Sequence, residues 1–122
     1  MGAVLLVEDD ALIRIDLTEA LRDEGYEVIS AIDGRDALER LAERADWCVI
    51  LLDMKMPRMD APAFRRNQLQ QPALAPIPVV LISAANGLDE QAAELDVAAY
   101  ITKPFRLEQV FSAVRKYCPK AC

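Results

Sequence analysis

Histidine is absent from the 122-residue sequence. Its absence excludes a Cys/His zinc cluster, a Ser-His-Asp triad and phosphorylation of histidine within this chain. Any chemistry must therefore use carboxylates, hydroxyls or lysine, and these are the residue types whose positions matter most for function.

Cysteine is scarce, with Cys48 inside an apolar run and Cys118 and Cys122 in the C-terminal tail. An odd number of cysteines with this spacing is not the disulfide framework of a small secreted fold. We therefore expect all of these side chains to be reduced thiols.

The charge balance and the short apolar runs exclude two kinds of target. Lysine and arginine number 14 against 20 aspartate and glutamate residues, a net charge of −6, so the chain lacks the basic surface that binds a nucleic-acid backbone. The apolar run at 3–7 stops at Glu8, and no basic segment precedes it as in a signal peptide. We expect a soluble cytoplasmic protein that contacts neither nucleic acid nor a membrane.

Length and hydrophobic patterning predict one α/β domain. With 53% hydrophobic residues, the chain can build one ordinary core and is too short for a multidomain enzyme. Apolar runs rich in β-branched residues alternate with segments of helical period, which is typical of strand-helix units in a parallel sheet. Strands are predicted at about 3–7, 26–30, 48–52, 78–82 and 98–101.

A helix is predicted after each strand. The first helix begins after Asp10 and the second at Asp33-Gly34, and the third and fourth cover about 61–69 and 87–95. The fifth helix is marked by apolar residues at helical spacing: Leu107, Val110, Phe111 and Val114. Right-handed crossovers between five such units give a doubly wound sheet. A ligand site is then expected just beyond the carboxyl ends of the strands.

Acidic residues crowd the predicted ends of the first and third strands. Glu8, Asp9 and Asp53 would meet there, where like charges raise one another's pKa values and indicate a divalent cation. Oxygen ligands alone favour Mg²⁺ over zinc. Ser83 and Lys103, at the ends of the fourth and fifth strands, add a hydroxyl and a positive charge. The set predicts a phosphoryl site with Asp53 as the nucleophile.

Four short segments resemble the receiver domain of bacterial response regulators, over essentially the whole chain. They are Val-Glu-Asp-Asp at 7–10, Leu-Leu-Asp-Met-Lys-Met-Pro-Arg-Met-Asp at 51–60, Ile-Ser-Ala at 82–84 and Tyr-Ile-Thr-Lys-Pro-Phe at 100–105. The resemblance implies a single flavodoxin-like (βα)5 domain over 1–122, with a five-stranded parallel sheet in the order 2-1-3-4-5. It also implies a phosphoacceptor in two-component signalling, and not an enzyme beyond its own phosphotransfer and autodephosphorylation.

The resemblance implies a role for each acid at the strand ends. Asp53 is similar to the family's phosphoacceptor, and Asp9 and Asp53 to its carboxylate ligands of Mg²⁺. Lys55 would add its backbone carbonyl to the metal, and Glu8 would act through water. Asp10, next to the acidic pair, is interpreted as a helix cap.

The resemblance also implies a switch and two kinds of partner. Ser83 resembles the switch hydroxyl, Tyr100 the aromatic switch residue, and Lys103 the phosphate-pairing lysine that precedes Pro104 through a cis peptide bond. Asp53, Lys103 and Ser83 would form the catalytic set. The implied phosphodonor is a sensor histidine kinase or a histidine phosphotransfer protein. Output to a downstream protein or a second copy would use the face formed by the fourth helix, fifth strand and fifth helix.

The sequence departs from the family pattern in the region expected to change on phosphorylation. Ala61 stands where glycine usually follows Asp60, and Asp96-Val97 stands where Gly-Ala usually precedes the fifth strand. These departures concern the output conformation more than the phosphorylation site, because the acids, the serine and the lysine are all in place.

Other function classes remain as alternatives. A pseudo-receiver would keep the fold as an interaction module without phosphorylation, but such proteins usually lose an acid, the acceptor or the lysine. A flavin-binding protein would need a small, hydroxyl-rich loop at 8–10, where this chain has three acids. A phosphatase with an aspartyl nucleophile would need a second aspartate at the position of Lys55.

Overall fold

Strands and helices alternate along the whole of the described chain. The computed structural model describes residues 2–54, 59–83 and 88–119. The elements are β1 (Ala3–Val7), α1 (Ala11–Asp23), β2 (Glu27–Ala31), α2 (Gly34–Ala42), β3 (Trp47–Asp53), α3 (Ala61–Leu69), β4 (Val79–Ser83), α4 (Leu88–Leu95), β5 (Ala99–Thr102) and α5 (Leu107–Tyr117). Across these ranges every helix is too short or too polar to cross a lipid bilayer.

The strands form one parallel sheet in the order β2-β1-β3-β4-β5. Every residue of β1 and β4 is buried, as the continuous apolar runs at these positions predict for strands covered on both faces. The edge strands β2 and β5 mix buried and exposed positions. The predicted doubly wound fold and its strand order are confirmed.

Helices cover the sheet on both faces and divide the core into two parts. One cluster combines α2, α3 and α4 with side chains such as Leu5, Ile50 and Leu81. The other combines α1 and α5 with the opposite side chains of the same strands, including Leu6 and Leu51. This division leaves the carboxyl ends of the strands uncovered by either layer, which is where the candidate site lies.

Aspartate caps begin three of the helices close to the strand ends. The Asp10 carboxylate accepts hydrogen bonds from the backbone N–H groups of Leu12 (3.0 Å) and Ile13 (3.2 Å), which confirms its interpretation as a helix cap. Asp33 and Asp60 cap α2 and α3 in the same way. Each cap fixes the residue at which its helix starts.

Buried polar side chains on α3 hold two distant parts of the chain. The Arg65 guanidinium donates to the backbone carbonyls of Leu95 (2.9 Å) and Asp96 (2.6 Å), at the end of α4. It also donates to the side-chain oxygen of Gln68 at 2.8 Å. Gln68 is fully buried and donates to two backbone carbonyls in the segment 70–78 that leads to β4. These contacts tie α3 to the end of α4 and to the segment that leads to β4.

Two helix ends adopt left-handed backbone conformations. Gly25 follows α1 with φ 97°, and Asp96 follows α4 with φ 53°. Glycine takes this conformation without a steric cost, and aspartate is among the few other residues that tolerate it. Asp96 therefore adopts the left-handed conformation close to where the family pattern has glycine.

Cys48 and Cys118 are joined as a disulfide between β3 and the end of α5, with Cα atoms 5.4 Å apart. The expectation of reduced thiols is wrong for this pair. A sequence separation of 70 residues gave no sign of the contact, which exists only because the folded sheet brings the start of β3 and the end of α5 together. Cys122 lies outside the described residues.

Replacing Gly25 by alanine should lower the free energy of unfolding by about 1–2 kcal/mol, as measured by urea denaturation. The cost comes from the positive φ alone, because no heavy atom beyond the chain neighbours lies within 4 Å of the added Cβ. Asp23→Ala, at the last residue of α1, is the control and should change stability by less than about 0.5 kcal/mol. Equal stability of the Gly25 variant and the natural chain would contradict the left-handed turn.

Candidate functional site

Three carboxylates meet where β1 and β3 end side by side. Glu8 directly follows β1 and Asp53 is the last residue of β3, and the register pairs Val7 with Leu52. Ligand oxygens of Glu8, Asp9 and Asp53 all lie within 4.8 Å of one another. The structure therefore brings together the three acids that the strand pattern placed at this edge.

The acids differ in exposure, and a lysine approaches the two buried ones. Glu8 and Asp53 are 3% and 7% exposed, whereas Asp9 faces solvent. The Lys103 ammonium lies 3.5 Å from Glu8 Oε1 and 3.5 Å from Asp53 Oδ1. The Lys103–Pro104 peptide bond is cis. One ammonium thus faces two buried carboxylates, with a third at the entrance.

The electrostatic imbalance of the cluster is visible at Glu8. Burial, together with the charge and the hydrogen bond of Asp53, raises the pKa of Glu8 to about 7. The backbone N–H of Asp10 and the Lys103 ammonium act in the opposite direction but do not cancel this effect. A cluster with this excess of negative charge and only oxygen ligands fits a small divalent cation.

Backbone contacts hold the acidic loop between β1 and α1. Arg14 Nη1 donates to the backbone carbonyls of Glu8 (2.9 Å) and Asp9 (3.3 Å). The Glu8 carboxylate in turn accepts the N–H of Asp10 at 3.2 Å, and the Glu8 N–H donates to the carbonyl of Ala31 at 3.0 Å. This role of Arg14 was not predicted, although its position five residues after Asp9 was the available signal.

The remaining predicted residues are Ser83, Tyr100 and Lys55. Asp53 pairs with Ile82 in the sheet, so Ser83, which is 3% exposed, ends the neighbouring strand one residue further on. The carbonyl of Ser83 accepts the N–H of Lys103 at 2.9 Å. Tyr100 lies on the edge strand β5, is 46% exposed and is not part of the acidic cluster. The predicted metal ligand Lys55 lies outside the described residues.

The parallel fold and the acidic cluster together define a receiver-type protein, and the chain belongs to the response regulator receiver domain family. The sequence pattern of that family matches residues 4–115. This match confirms the resemblance inferred from the four sequence segments.

Known relatives and solved structures are similar to the chain over nearly its full length. The transcriptional regulatory protein PdtaR of Mycobacterium tuberculosis is 39% identical over 112 residues, which cover 91% of this chain but 54% of that protein. The chain thus spans about half the length of that relative. The sporulation initiation phosphotransferase F of Bacillus subtilis is 34% identical, covering 95% of this chain and 93% of that protein. The chemotaxis protein CheY4 of Vibrio cholerae superposes with a TM-score of 0.86 at 27% identity, covering 96% and 98% of the two chains.

Arg14→Ala should loosen the acidic loop. Loss of the contacts to the carbonyls of Glu8 and Asp9 should lower the free energy of unfolding by about 1–3 kcal/mol and speed amide exchange at residues 8–10. Arg22→Ala is the matched control, because Arg22 donates to the Val28 carbonyl at the other end of α1. It should leave exchange at residues 8–10 unchanged. Equal exchange in both variants would show that Arg14 does not hold the loop.

Proposed function

We propose that residues 1–122 form one receiver domain that accepts a phosphoryl group on Asp53 in a two-component phosphorelay. The observation that carries this proposal is the acidic cluster itself, in which Asp53 lies within 4.8 Å of two further carboxylates and 3.5 Å from the Lys103 ammonium. A nucleophilic carboxylate between an acidic cation site and an ammonium is the arrangement that phosphoryl transfer requires.

The cation proposed for this site is Mg²⁺. Asp9 and Asp53 would supply carboxylate ligands, Lys55 its backbone carbonyl, and Glu8 would bind through water. Bound Mg²⁺ supplies positive charge that offsets the charge on the phosphoryl oxygens. The small number of carboxylates leaves room for water and phosphoryl oxygens, which Mg²⁺ prefers over an all-protein set of ligands.

The proposed transfer uses few groups of the chain itself. One carboxylate oxygen of Asp53 attacks phosphorus, the bond from phosphorus to the donor histidine breaks, and the imidazole leaves with the bonding electrons. Lys103 pairs with the phosphoryl oxygens, and the Ser83 hydroxyl donates a hydrogen bond to one of them. Hydrolysis of the acyl phosphate later restores Asp53, so the chain is a reactant in the relay and not an enzyme acting on a separate substrate.

The proposed phosphodonor is a phosphohistidine on a sensor kinase or on a histidine phosphotransfer protein. No histidine lies among residues 1–122, so the phosphohistidine must come from outside this domain. The relative from Bacillus subtilis is named a phosphotransferase, which supports this kind of exchange. We place the reaction in the cytoplasm, where ATP-dependent kinases produce phosphohistidine, with no direct nucleic-acid or membrane contact.

The proposed output starts at Ser83 and reaches the face formed by α4, β5 and α5. Ser83 pairs with Thr102 in the sheet and accepts the N–H of Lys103, so a shift of Ser83 toward a phosphoryl group acts directly on β5. Tyr100 lies two residues before Thr102 and is half exposed, with room to change position. A downstream protein or a second copy of the chain would bind this face.

A pseudo-receiver is the alternative function. It would use the same fold to bind a partner without accepting phosphate. Glu8, Asp9, Asp53 and Lys103 are all retained in one cluster, which favours phosphorylation. Buried like charges destabilise the fold, and a pseudo-receiver would have no use for them.

Acetyl phosphate with Mg²⁺ should add one phosphoryl group to the natural chain and none to Asp53→Asn, as measured by intact mass. Asp16→Asn makes the same change of charge at an exposed position of α1 and should be phosphorylated normally. Addition of a phosphoryl group to Asp53→Asn would show that another residue is the acceptor. A natural chain that stays unmodified with every phosphodonor in the presence of Mg²⁺ would favour the pseudo-receiver.

Ser83→Ala should leave phosphorylation possible but weaken the response of β5 and α5. Beryllofluoride with Mg²⁺ mimics the phosphorylated state, and amide chemical shifts around Tyr100 report the change. Ser30→Ala removes a hydroxyl near the end of the edge strand β2 and should respond like the natural chain. Identical shift changes near Tyr100 in the two variants would remove Ser83 from the switch.

A further inference from the structure

Cys48 and Cys118 form a disulfide that is remote from the acidic site. Cys48 lies near the amino-terminal end of β3, whereas Asp53 is the last residue of that strand. Five residues of extended chain correspond to about 16 Å. The pair therefore makes up a second chemical site, separate from the residues proposed to accept phosphate.

Cys48 lies at a β-bulge, on the side of the sheet that faces α5. The register pairs Ala3 with Trp47 but Val4 with Val49, so Cys48 is the extra residue. Cys48 and Val49 are consecutive, yet both pack against the cluster that contains α1 and α5. Successive residues of a regular strand point to opposite faces, so the bulge lets two consecutive residues share the face on which the Cys48 sulfur meets Cys118.

The backbone accommodates both redox states of the pair. The Cα atoms of Cys48 and Cys118 are 5.4 Å apart, within the range of ordinary disulfides. In the reduced state the Cys48 thiol has an acceptor in place, since its Sγ lies 3.3 Å from the backbone carbonyl of Ala3. Neither state requires a movement of the strand.

We propose that Cys48 and Cys118 are a reversible thiol-disulfide site, oxidised by a low-molecular-weight disulfide and reduced by the corresponding thiol. Cys48 is the entry point, because it is half-buried whereas Cys118 is only 5% exposed. The Cys48 thiolate attacks one sulfur of the external disulfide, forms a mixed disulfide and releases one thiolate. The Cys118 thiolate then attacks the Cys48 sulfur and releases the second. Two electrons pass from the protein to the external disulfide, and the two protons from the cysteines go to the released thiolates.

Oxidation anchors the end of α5 to a central strand of the sheet. The bond closes a loop across 70 residues of sequence, which removes much of the freedom of the unfolded chain. Near this helix end, the Tyr117 hydroxyl makes a long hydrogen bond of 3.5 Å to the Ala98 carbonyl. The redox state thus sets how firmly α5 is held. Since α5 is part of the face proposed for output, oxidation would also affect output, and only this effect on output rests on the proposed function.

Incubation of the fully reduced chain with oxidised glutathione should remove two of its three thiols, as counted by alkylation and mass spectrometry. Peptide mapping should show an intramolecular Cys48–Cys118 bond, and Tm should rise by about 10 °C. Reduced glutathione should restore both thiols and the lower Tm. Retention of all three thiols, a lasting glutathione adduct or a disulfide through Cys122 would overturn the proposal.

Single substitutions test which residues the redox response requires. Cys122→Ser should show the same rise in Tm on oxidation, whereas Cys48→Ser should show none. Each variant is compared in its oxidised and reduced forms, so any loss of stability caused by the substitution itself cancels. Amide exchange over the last turn of α5 should slow on oxidation only where both Cys48 and Cys118 are present. Asp53→Asn should keep the full redox response, so a failure of the phosphoacceptor proposal is distinguishable from a failure of this one.

Discussion

The carboxyl ends of parallel strands share one edge of the sheet, and this constraint creates the site. Glu8 after β1 and Asp53 at the end of β3 have to occupy neighbouring positions, buried and of like charge. Burying such charges is costly unless an opposite charge is near, and Lys103 supplies only part of it. The remaining negative charge is what would favour a cation at this edge, as proposed above.

The fold and the acidic cluster could be predicted from the sequence because both depend on local patterns. Continuous apolar runs at 3–7 and 78–82 required strands covered on both faces, and the structure buries every residue of β1 and β4. The position of the acids followed from those strand ends, because residues just beyond two neighbouring parallel strands lie side by side at the same edge of the sheet. Asp10 was interpreted as a cap from its position alone, and its hydrogen bonds agree.

The contacts that sequence reasoning did not find are those made across long separations. The bond between Cys48 and Cys118 joins β3 to the end of α5 across 70 residues of sequence, which no periodicity in the sequence indicates. Arg65 on α3 gave no sign that its partners would be carbonyls at the end of α4. Such contacts follow from how elements pack in three dimensions, whereas periodicity reports only which face of an element is apolar.

The Arg65 contacts have a mechanical consequence for the receiver. A displacement of the C-terminal end of α4 must either break two hydrogen bonds from a guanidinium or carry α3 along with it. Hydrogen bonds of this charged type are worth about 1.5–3 kcal/mol each, enough to favour joint movement. Since Gln68 also ties α3 to the segment before β4, we expect the two helices and that segment to move together, with motion concentrated at their borders.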